Sequence, residues 1–118
     1  MSRFPIPILT ALLLTVSCDA LAPEPGQGSV AEQGYRNFQP TIDALDAYRE
    51  REGHYPESLG ALIRAGDLPE APNAPQPDHI AQYTPRPDGY ELLFTYSGPG
   101  MNRCVHRPAT GWACEGYY

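Results

Sequence analysis

Three cysteines and three histidines are the side chains in this sequence suited to covalent or metal chemistry. Cys104-Val105-His106 sets a thiol and an imidazole two residues apart, an arrangement open to a cysteine nucleophile or a metal. Either role needs the thiol reduced, and Cys114 offers a disulfide instead. Setting Cys104 opposite Cys114 on facing strands puts His106 opposite Trp112 and Arg107 opposite Gly111. The hairpin then closes on three residues, and Gly111 falls where such loops want a left-handed conformation. A ring this small restricts the unfolded chain by roughly 2–3 kcal/mol on the loop-entropy account. His54, His79 and His106 share no helical ligand spacing, whereas zinc needs three or four convergent donors. Asp43, Asp46, Glu50, Glu52 and Glu57 could supply a carboxylate pair for glycoside chemistry. Acids around one helix face are expected to be a solvated surface. Tyr96-Ser97-Gly98-Pro99-Gly100 lacks the Gly-x-Ser-x-Gly of a nucleophile elbow, and no phosphate-cradling glycine pattern is present. No catalytic residue, metal or cofactor is expected.

The third cysteine, Cys18, ends an N-terminal segment with Arg3 as its positive charge and an apolar run from Ile8 to Val16. The run is too short for a stop-transfer helix and ends in a small residue, as a signal peptide does. Leu14-Thr15-Val16-Ser17-Cys18 resembles a bacterial lipoprotein lipobox, although Thr15 stands where leucine is usual. The resemblance implies cleavage after residue 17 and a diacylglycerol on the Cys18 thiol. An ordinary secretory signal or an uncleaved anchor are the alternatives. With Cys18 lipidated, Cys104 and Cys114 remain as an even pair, which in an exported protein reads as a disulfide. Asp19 directly after the lipidated cysteine implies retention in the inner membrane, with the domain in the periplasm.

Removing residues 1–17 leaves 101 residues, enough for one small domain. Seven arginines then face fourteen Asp and Glu, a formal charge of −7, and there is no lysine. That balance excludes a nucleic-acid partner, which requires basic surface, and a polybasic grip on anionic lipid. Membrane attachment must therefore come from the acyl chains.

The elements that must position these residues follow the anchor. Residues 18–28 read as the lipidated N-terminus and a Pro/Gly-rich tether, and residues 29–118 as the folded domain. Ser29-Val30-Ala31-Glu32 has the form of a capping box. Tyr35, Phe38, Ile42, Leu45 and Tyr48 then line one helical face. The stripe keeps phase across Pro40, which predicts a single helix kinked there and ended by Gly53. Tyr55-Pro56 opens a second short helix with Leu59, Leu62 and Ile63 buried and Gly66 as its stop. The prolines of residues 67–78 predict an extended loop. Strands follow near Ile80–Thr84, over Tyr90–Ser97 where Tyr90, Leu92, Phe94 and Tyr96 alternate with Glu91, Leu93, Thr95 and Ser97, and in the cysteine hairpin. The fold class is α+β: an amphipathic helix packed on a three- or four-stranded antiparallel sheet.

Ile42-Asp43-Ala44-Leu45-Asp46-Ala47-Tyr48-Arg49, then Gly53-His54-Tyr55-Pro56, Leu59 and Leu62, is similar to type II secretion pseudopilins and related type IV pilin-like proteins. The resemblance covers about residues 35–68 by motif and the remainder by element order. It implies a pilin-like head, but the prepilin-peptidase site and long apolar polymerisation helix of that family are replaced by the lipobox and tether. Some of these proteins hold calcium in a carboxylate-rich loop, and Ser97–Asn102 carries no carboxylate. The expected function is a lipid-anchored, non-enzymatic interaction module with an envelope protein partner, beside secretion or pilus machinery. Eight tyrosines suit protein or glycan contact, and Tyr55, Tyr96, Trp112 and Tyr117 are the candidate contact residues. The rival expectations are a small-molecule or glycan binder, and an envelope enzyme using Cys104 or His106.

Overall fold

In the computed structural model, Arg3 and residues 23–117 are described; Cys18, Asp19 and the lipobox lie outside them. The elements are α1 (Ser29–Glu52), α2 (Leu59–Arg64), β1 (Ala81–Arg86), β2 (Gly89–Ser97), β3 (Met101–Arg107) and β4 (Gly111–Gly116). The strands form one antiparallel sheet in the order β1-β2-β3-β4, so the chain is an α+β domain with a four-stranded meander.

Helix α1 lies along β2 because its stripe of Ala31, Phe38, Ile42 and Leu45 meets the inward residues of that strand, Tyr90, Leu92, Phe94 and Tyr96. Phe38 and Phe94 are 5.4 Å apart at their ring centroids, and Tyr35 meets Phe94 edge-on at 5.9 Å. The helix is continuous through the exposed Pro40, which has no amide to donate to the carbonyl of Arg36. The capping box does not form. Ser29 is already helical, Gly28 is the N-cap at φ 93°, and no side chain caps the helix. At the other end Gly53 adopts φ 83° and donates to the carbonyl of Arg49 at 2.8 Å, as the sequence predicts.

The second helix begins later than expected. Ser58 is its N-cap, accepting from the amide of Ala61 at 3.3 Å, so Pro56 stands ahead of the helix rather than in its first turn. Pro56 is buried, and its carbonyl accepts the Tyr83 hydroxyl at 2.6 Å. Leu62 is fully buried, while Ile63 is exposed, because a helix of six residues offers only one turn to the core.

β1 continues through Pro85 to Arg86, beyond the expected end at Thr84. Proline is tolerated there because β1 is an edge strand whose outer side forms no ladder. β2 alternates as expected, and Cys104 pairs with Cys114, His106 with Trp112 and Arg107 with Gly111. Gly111 takes φ 75° beside the three-residue loop. Among the described residues, no buried side-chain nitrogen or oxygen lacks a hydrogen-bond partner.

Candidate functional site

The Cys104 and Cys114 sulfurs are bonded, and Cys104 is fully buried. The thiol needed for nucleophilic or metal chemistry at Cys104-Val105-His106 is therefore consumed. The Tyr35 hydroxyl lies 3.2 Å from the Cys114 sulfur and donates to the Gly26 carbonyl at 2.7 Å. His106 is half-buried, its ring stacked on Tyr90 at 5.8 Å and meeting the Trp112 ring edge at 5.1 Å. The Tyr90 hydroxyl is 3.2 Å from His106 Nδ1. Burial lowers the His106 pKa below its usual value, against the opposing pull of Asp46. Burial likewise raises Tyr90, so this inner pair is neutral at neutral pH. Among the described residues, no group of three or more His, Cys, Asp or Glu could hold a metal ion.

The four candidate contact residues do not form one patch. Tyr96 is 1% exposed, and its hydroxyl accepts the Gly26 amide at 2.8 Å. It is a core residue and presents nothing to a partner, because the inward phase of β2 carries it under α1. Trp112 packs against Tyr35, Phe38, Phe94 and His106, with only part of its surface free. Tyr117 follows β4 at the end of the sheet where the Ser97–Met101 turn lies, and its amide donates to the carbonyl of Met101 at 3.0 Å.

Tyr55 is at the opposite end of the molecule. Gly53 turns the chain out of α1 so that the Tyr55 ring meets Tyr90 edge-on at 4.8 Å, with the Arg49 guanidinium 5.2 Å from its centroid. Asp46, Arg49, Glu50, Gly53 and Tyr55 line a cavity of about 460 Å³. A neighbouring cavity of about 270 Å³ continues from His54 and Glu57 to Arg86 and Asp88 in the β1–β2 turn. Behind that turn Glu91 accepts from Arg86 at 3.3 Å and Arg107 at 3.1 Å. Burial pushes the Glu91 carboxyl up, but the two guanidiniums outweigh it and hold the pKa low. Burial also pushes Tyr83 up to about 12.

This end combines an aromatic ring, two carboxylates one helical turn apart and two arginines in a shallow concavity. Such a surface can recognise polar and charged groups. Sequence reasoning singled out Tyr55 and the acids separately; the chain reversal at Gly53 brings them together. It missed the Tyr90–His106 pair and the role of Gly26, since neither contact has a local sequence signal. No protein-family model, no curated protein and no solved structure matches this chain.

Proposed function

We propose that this chain is a lipid-anchored extracytoplasmic protein whose pilin-like head serves as a non-enzymatic interaction module, working beside secretion or pilus machinery in the bacterial envelope. The observation that carries the reading is the Cys104–Cys114 bond. A disulfide in a small domain belongs to an oxidising compartment, which accords with export. It also leaves Cys18 as the cysteine outside the pair, at the end of the apolar segment where a lipobox cysteine stands. The Asp19 neighbour favours the inner membrane, with the head in the periplasm. The pilin-like reading draws support from the order of elements, a long amphipathic helix with an internal proline, a short second helix and an antiparallel meander.

A non-enzymatic role accords with the bonded state of Cys104, which removes the nucleophile from the rival enzymatic reading. The glycan-binding alternative relied on tyrosines lining the sheet, and Tyr90 and Tyr96 are covered by α1. Partner contact then falls to the surface around Tyr55, Arg49 and Glu50. Two measurements test the proposal. Labelled palmitate should enter the wild-type chain and not Cys18→Ser, which should move from the membrane to the soluble fraction. Photo-crosslinking from position 50 or 57 in native membranes should then capture a discrete envelope protein. An unlipidated wild type, or a scan of this surface without a crosslinked product, would overturn the corresponding half of the reading.

A further inference from the structure

We infer that the head stands upright on its own bilayer: the end carrying the Ser97–Met101 turn and Tyr117 rests in the headgroup region, and the Tyr55 end points away from the membrane. The inference rests on the Cys18 anchor proposed above and adds to it an interaction surface whose partner is the lipid interface.

The first observation is how the chain leaves the head. Glu24 and Gln27 close a backbone turn at 2.9 Å, and Gly26 between them is held at both polar groups. Its amide donates to the Tyr96 hydroxyl at 2.8 Å, and its carbonyl accepts from Tyr35 at 2.7 Å. Gly26 has φ 88°, and a Cβ there would lie 2.8 Å from the Cys114 sulfur, so only glycine sits this close to the disulfide. Pro25 meanwhile approaches Gly116, where a Cβ would be 3.3 Å from the proline ring. The last part of the tether is thus packed on the head, at the end where β2 gives way to β3.

The second observation is length. Five peptide links separate Pro23 from Cys18. Fully extended they reach about 18 Å. Helix α1 rises away from the same end for 24 residues, about 36 Å at the ordinary helical rise. An anchored Cys18 therefore keeps the tether end within reach of the headgroups, while the Tyr55 end lies a helix length from that anchored end.

The third observation is the chemistry of the two ends. Residues 96–102 carry no charge, and Ile80 and Tyr117 flank them at 52% and 47% exposure. Glu24, Asp78 and the Arg103–Glu115 pair border this surface, and the tyrosine and apolar side chains between them suit the water–lipid interface. The far end carries Asp46, Arg49, Glu50, Arg86, Asp88 and Arg107, which would lose hydration there. The chain's acidic balance makes attraction to anionic lipid an unsuitable driving force, so the interface is with headgroups as such and needs no negative lipid.

The test uses the lipidated, membrane-extracted chain in phosphatidylcholine nanodiscs containing a gadolinium-headgroup lipid, with intact mass recording the lipid on Cys18. Amide signals of Ser97, Gly98, Gly100, Met101, Gly116 and Tyr117 should be lost to broadening. Those of Gly53, Tyr55, Asp88, Gly89, Ala109 and Thr110 should persist. A long Gly-Ser insertion between Ala22 and Pro23 should abolish the difference. Equal broadening of both ends, or stronger broadening of the Tyr55 end, would overturn the orientation, and a gradient unaltered by the insertion would overturn the part given to the short tether. An unmodified mass with no disc association would instead overturn the anchor reading, and the orientation with it.

Discussion

Gly34 occupies the middle of a helix because the tip of Phe94 fills the space a side chain would need: a Cβ there would lie 2.4 Å from Phe94 Cζ. Alanine is the better helix former by about 1 kcal/mol. Phe94 is fully buried and cannot withdraw, and overpacking costs about 1–3 kcal/mol, so packing wins. Gly34→Ala should lower the urea midpoint, despite the gain in helix propensity; an unchanged or higher midpoint would contradict the close approach. His106 ties folding to pH. Its folded pKa lies below the usual 6.5, so between those two values the unfolded chain binds the extra proton. The contribution is fully present above the unfolded value and is lost as pH falls through it toward the folded pKa. His106→Phe keeps a ring between Tyr90 and Trp112 and removes this titration. Unfolding free energies measured from about pH 7 to about pH 5 should fall less steeply in the variant than in the wild type. Equal slopes would count against a buried, neutral imidazole. Neither residue was legible beforehand, because a glycine in a helical pattern and a histidine in a strand each fit many environments until the opposing element is known.

Elements were easier to read where one periodicity governed many residues. Tyr90, Leu92, Phe94 and Tyr96 alternate without interruption, and the structure buries all four. The cysteine hairpin was over-determined, since register, loop length and the Gly111 conformation agree only for Cys104 opposite Cys114. Replacing both cysteines by serine should cost roughly 2–3 kcal/mol, read from the shift in denaturant midpoint; no loss would show that the ring restricts little. Helix ends were less legible. Ser29 and Tyr55-Pro56 both had the local chemistry of a helix start, yet Gly28 and Ser58 are the caps. A cap is selected by where the whole helix can dock, and a single turn of favourable residues cannot outweigh the burial of Phe38 or Leu62. The packed end of the tether belongs to the same scale. Tyr96→Phe removes the partner of the Gly26 amide, worth about 1 kcal/mol, and should speed hydrogen exchange at Gly26 while β2 stays protected. Unaltered exchange at Gly26 would mean that the segment is held by other contacts.

At the scale of the whole molecule, polarity runs along one axis. α1 and β2 lie antiparallel, so the tether, the disulfide and the uncharged Ser97–Met101 turn gather at one end. The C-terminus of α1 and the β1–β2 turn meet around the Tyr55 cavity at the other. Substituting Glu50 and Arg49 should weaken partner capture while leaving thermal stability nearly unchanged, because both side chains are exposed and surface charges contribute little to folding. A large fall in melting temperature would identify them as structural instead. The sequence by itself determined the α+β class, the alternation of β2, the left-handed stop at Gly53 and the Cys104–Cys114 pairing. Each of these follows from local sterics or from a period repeated over several residues. Only the tertiary structure decided that Tyr96 is internal, that Tyr55 and Tyr117 lie at opposite ends, and that Gly26 packs against the disulfide. Those outcomes depend on which faces meet across long sequence separations, and they are set by the shape of the assembled core.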